Sequence, residues 1–100
     1  MKIRFERSGG FTGIPVTAEI NSQSLAEDEV QQLQELIQTA RFFDLPVHPT
    51  EPASGGADQF QYQISIEDGG QSHTIETTDG AATDDLRPLL RHLTLLARRR

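Results

Sequence analysis

Cysteine is absent from the 100 residues, so no disulfide staples the chain and no thiolate is available as a nucleophile or metal ligand. Nothing therefore points to an oxidising compartment. Long apolar runs are missing as well. The opening MKIRFERSGG sets charges among its apolar residues, and no stretch has the length of a signal peptide or of a bilayer span. A cytoplasmic protein with no membrane partner is the expectation. Basic residues are scarce: 9 against 15 acidic ones leave a formal net charge of −6. That balance disfavours nucleic acid as a partner, because such binding rests on neutralising phosphates.

Catalytic signatures are lacking too. His48, His73 and His92 fall on different segments, without the paired spacing of a zinc site. No serine sits in a nucleophile elbow. The glycines of Ser8-Gly9-Gly10-Phe11-Thr12-Gly13 miss the phosphate-binding spacings, and no helix follows them directly. The expectation is a protein that is not an enzyme, has no cofactor and binds no metal of its own.

What the chain does have is periodicity. In Asp58–Gly80, Phe60, Tyr62, Ile64 and Ile66 alternate with Gln61, Gln63, Ser65 and Glu67, the period of two that sends one set of side chains to a core. Asp68-Gly69-Gly70 supplies the turn, and His73, Ile75 and Thr77 alternate on the way out. A second hairpin comes first in the chain: Ile3 and Phe5 alternate within Lys2–Arg7, and Ile14, Val16, Ala18 and Ile20 alternate after the Ser8–Gly13 loop. Pro15 belongs at a strand start or an edge, since it has no N–H to give a ladder.

Two helices complete the pattern. Ser24-Leu25-Ala26-Glu27 fits a capping box, and Asp28 and Glu29 suit the positive end of a helix dipole. Val30, Leu33, Leu36, Ile37 and Ala40 form one face, with an end predicted near Arg41 and a packed exit at Phe42–Leu45. Val47–Ala57, with its prolines and glycines and no periodicity, reads as a loop. The last helix carries Leu86, Leu89, Leu90, Leu93 and Leu96 on one stripe and closes on Arg98–Arg100, a solvated end favoured by the dipole. Pro88 is comfortable only in a first turn, which suggests a start at Asp84 or Asp85.

The order is ββαββα in a single domain, residues 1–100. Its simplest packing is an α+β fold: a four-stranded antiparallel sheet with both helices on one face. A helix of about 15 residues climbs roughly 22 Å, enough to return the chain to the end it left. Ser8–Gly13, Val47–Ala57 and Asp79–Thr83 should then gather at one end of the sheet, where binding residues commonly sit. Phe11 and Ile14 flank glycine in such a loop; Phe11 either meets a partner's pocket or folds back over the sheet. Asp79, ahead of Gly80, is either a plain turn residue or the cap of a following turn.

The pieces MKIRFERSGGFTGIPV, ARFFDLP, DQFQYQISIEDGGQSHTIETTDG and DLRPLLRHLTLLARRR, in this order, resemble emfourin, a family of small bacterial inhibitors of thermolysin-like, specifically protealysin-like, metalloproteases. A monomer when free is the expectation, and the resemblance implies that it binds a protealysin-like protease competitively. One loop would direct an aspartate at the protease's catalytic zinc while a neighbouring loop fills substrate pockets. Carried onto this chain, it assigns the aspartate to Asp79, beside Gly80, with Asp84 in reserve. The apolar contacts fall to Phe11 and Ile14, in the setting of Gly10, Thr12 and Gly13. A non-enzymatic interaction module using the same loops for another partner is the alternative.

Overall fold

The structure is a computed structural model that describes residues 1–9, 15–47 and 60–98. Its strands are β1 (Lys2–Gly9), β2 (Val16–Asn21), β3 (Phe60–Asp68) and β4 (Gln71–Thr78), and its helices α1 (Glu27–Ala40) and α2 (Arg87–Arg98). The sheet is antiparallel with spatial order β2-β1-β3-β4. The ββαββα order and the α+β class are those expected.

The period of two explains how this sheet chooses its faces. In register, Ile3 stands beside Ile20 and Ile66, Phe5 beside Ala18 and Ile64, and Ile64 beside Ile75. All of these are buried, while Lys2, Arg4, Glu6, Glu19, Gln63 and Glu67 on the other face are exposed. Both helices cover the apolar face. α1 contributes Leu33, Ile37 and Ala40, and α2 contributes Leu89, Leu90, Leu93 and Leu96, to one continuous core. Its centre is Phe5, Leu33, Phe42, Ile64, Leu89 and Leu93, each fully buried and each worth about 1.5–3 kcal/mol of transfer free energy. On the open face, Arg4 Nη2 meets Glu19 Oε1 at 3.0 Å. Such an exposed pair adds little stability.

The turn between β3 and β4 follows its glycines. Gly69 and Gly70 have φ of 57° and 88°, the two positive values that a two-residue hairpin loop with the twist of its strands requires. α1 departs from expectation at its start. Ser24 does not cap it: Ser22–Ser24 form a 3-10 turn, and the N-cap is Ala26, which has no side chain to cap with, while Asp28 Oδ1 accepts from Glu29 N–H in the first turn. The cause lies in Leu25, which packs against the core; Asn21 Oδ1 accepts from Gln23 N–H and Leu25 N–H closes on Ser22 O, so the helix begins only afterwards. Glu27, Asp28 and Glu29 still occupy the first turn. At the other end Arg41 is left-handed (φ 52°, ψ 47°), which turns the chain so that Phe42 enters the core.

α2 also starts later than expected, at Arg87 rather than Asp84 or Asp85. Thr83 O accepts from both Leu86 and Arg87 N–H, so a turn leads into the helix. Pro88 is the second helical residue, where its missing N–H would have had no intrahelical partner.

The exit from α1 runs along the outer edge of β4. Glu76 N–H donates to Val47 O at 2.7 Å, and His73 Nε2 donates to Leu45 O at 2.6 Å, with the His73 ring edge-on to Phe42. Unpaired strand edges invite pairing with other chains, and this strap occupies part of that edge. Among the described residues, no helix is long and apolar enough to cross a membrane.

Candidate functional site

Gly9, Phe60 and Asp79 lie side by side at one end of the sheet. Gly9 closes β1 opposite Phe60, the first residue of β3, and Asp79 follows β4 immediately and donates its N–H to Phe60 O at 3.3 Å. The chain leaves β1 for residues 10–14 at this end, and leaves β4 for the turn into α2 at the same end. The topology thus roots the β1–β2 loop and the Asp79 loop one strand apart. Gly10, Phe11, Thr12, Gly13 and Ile14 themselves, and all of the Val47–Ala57 loop beyond Val47, lie outside the described residues.

Asp79 is held rather than free. In an antiparallel ladder Phe60 N–H would bond the main-chain carbonyl opposite. Instead it donates to Asp79 Oδ2 at 3.2 Å, while Tyr62 O–H donates to Oδ1 at 2.8 Å. The carboxylate therefore takes the place of a ladder carbonyl, and the backbone is released to turn away at the exposed Gly80. A carboxylate has about four acceptor sites, and these bonds use two of them.

Each donor is itself fixed. Tyr62 stands on the core face of β3, buried, its ring centroid 6.2 Å from that of Phe5. Its phenol is pushed up to about 12, first by burial, then by the hydrogen bond to Asp79 and by that group's negative charge; the positive charge of Arg7 opposes this. At neutral pH the phenol is a donor. Arg7, opposite Tyr62 in the register, lays its guanidinium carbon 4.3 Å from the centroid of the Phe60 ring.

The rest of the loop is anchored by its own bonds. Thr78 Oγ1 accepts from Ala81 N–H at 3.2 Å and Thr78 O from Ala82 N–H at 2.9 Å, and Arg87 Nη2 donates to the carbonyl of the buried Ala82. The turn is thus capped by Thr78. Asp79, read as either a plain turn residue or a cap, instead reaches back to β3. Asp84, the reserve aspartate, is exposed on the lead into α2, with Oδ1 3.7 Å from Arg87 Nε.

Sequence reasoning placed Tyr62 only as a core residue and passed over Phe60 N–H and Thr78. A signal was present, because counting back from the two-glycine turn sets Asp79 opposite Phe60. A tyrosine on the inner face also needs a partner for its hydroxyl. Among the described residues no cluster of three histidine, aspartate or glutamate side chains could hold a metal.

Comparison with curated proteins and with solved structures returns no match. The family model described as Emfourin matches residues 5–94, nearly the whole sheet and both helices, and the chain belongs to the Emfourin family.

Proposed function

We propose that this protein inhibits thermolysin-like, specifically protealysin-like, zinc metalloproteases by occupying their active site. Family membership supports an inhibitor module. The observation that carries the site assignment is the Asp79 carboxylate, pinned by two donors beside the root of the residue 10–14 loop and still holding unused acceptor sites.

In this reading, one Asp79 oxygen approaches the protease's zinc to about 2.0–2.2 Å and takes the coordination position of the catalytic water. Removing that water removes the nucleophile. Phe11 and Ile14 enter apolar substrate pockets, and Gly10, Thr12, Gly13 and Gly80 complete the protease-binding set that the family resemblance assigns. The hydrogen-bonded sheet below lowers the ordering cost of association.

The test is a titration of the protein into a protealysin-like enzyme with a peptide substrate, repeated with Asp79→Ala. Saturable inhibition near one-to-one, weakened at least tenfold by the substitution in a protein that keeps its circular dichroism, is the expected result. Undiminished inhibition by the variant would remove Asp79 from the zinc.

A further inference from the structure

We propose that Tyr62 is a positioning residue for inhibition: its phenol O–H, acting with Phe60 N–H, sets the orientation in which Asp79 is offered to the target's metal. The inference rests on the zinc-directed role of Asp79 proposed above. Carboxylates that bind metals are themselves hydrogen-bonded by outer-shell groups, which fix their orientation, and loss of such a partner typically costs 10–100-fold in metal affinity. Asp79 already has that surrounding in the free protein. Oδ1 is bonded to Tyr62 and Oδ2 to Phe60, so neither rotation about Cβ–Cγ nor a swing of the loop is open to it without breaking a bond.

The supports of the two donors favour a built arrangement over a chance contact. Tyr62 is buried against Phe5, which holds the ring. Phe60 is fixed from three sides: by pairing with Gly9, by the Asp79 N–H on its carbonyl, and by the Arg7 guanidinium over its ring. The remaining acceptor sites on Asp79 are enough for a metal to be added with both bonds kept. The bonds to Tyr62 and Phe60 persist in the complex, and no latch has to open.

A double-mutant cycle on the inhibition constant tests this, using Tyr62→Phe, Asp79→Ala and the double variant against a protealysin-like enzyme. Thermal unfolding of each variant serves as the fold control. Tyr62→Phe keeps the ring and loses only the O–H; it should weaken inhibition about tenfold, within the outer-shell range, and have no further effect once Asp79 is alanine. A tyrosine that only supported the fold would weaken both backgrounds alike, which would overturn the proposal. Unchanged or tighter inhibition by Tyr62→Phe, with Asp79→Ala still weakened, would overturn it too, tighter binding meaning that the Tyr62 bond competes with the metal. An Asp79→Ala variant that inhibits like the wild type would instead bring down the zinc-directed reading itself, and Tyr62 with it.

Discussion

Tyr62 O–H and Asp79 Oδ1 are 2.8 Å apart, joining the core face of β3 to the first residue beyond β4. The bond ties the one phenol of the chain to the carboxylate at the head of a loop. It also makes that carboxylate observable without any partner present.

Because Tyr62 is the sole tyrosine, tyrosinate absorbance follows it alone. The midpoint in the folded protein should lie near 12. In Asp79→Ala it should fall, though not fully to the ordinary value of about 10, because burial remains. The sign for stability follows from a folded pKa above the unfolded one. The contribution is fully present below about pH 10 and is lost as pH rises towards about 12. Urea midpoints across that window should drop more for the wild type than for Tyr62→Phe, and equal slopes would contradict the bond.

Phe11→Ala should weaken inhibition by roughly 1–3 kcal/mol, as expected of an aromatic anchor in a pocket. The inhibition constant measures this, with denaturant unfolding as the control. Wild-type affinity would take Phe11 out of the interface.

Arg41 carries a left-handed backbone that glycine adopts without steric cost. Relief of the strain, about 1–2 kcal/mol, outweighs the extra unfolded-state freedom of glycine, about 0.4–1 kcal/mol. Arg41→Gly should therefore raise stability by roughly 0.5–1 kcal/mol in urea unfolding, as the difference of those two effects. Inhibition should be unaltered: the neighbouring Phe42 packs against His73, close to the Gly69–Gly70 turn, so α1 ends towards that turn and not, as its length suggested, at the Asp79 end of β4. A loss of stability would show that the Arg41 side chain contributes more than its backbone costs.

The fold was legible because nearly every element obeys a single period. Ile3 and Phe5, Tyr62 to Ile66, and the leucines of α2 announce their faces with no competing demand. Where the chain serves two demands, reading from sequence slipped. Ser24 has the right spacing to cap α1, but burial of Leu25 next to it delays the helix. Asp84 and Asp85 look like a helix start, but Thr83 O forms the lead-in turn before the proline. Of the candidate site, what was legible is the meeting of strand ends, since topology alone brings the ends of β1 and β4 to the start of β3. The hold on Asp79 was legible only as a neighbourhood: the register from the glycine turn sets Asp79 opposite Phe60, but no pattern of residue types marks that its side chain replaces its main-chain carbonyl as the acceptor.

The strap along β4 has a mechanical consequence. The β3–β4 hairpin is gripped on one flank by the ladder to β1 and on the other by Leu45 and Val47, whose chain is plugged into the core at Phe42. A pull on Asp79 is therefore shared among the sheet, the strap and the helical layer. The hairpin cannot peel outward without breaking the bonds to Leu45 and Val47 and parting the His73 ring from Phe42, so the strand that leads to Asp79 is braced on both of its flanks.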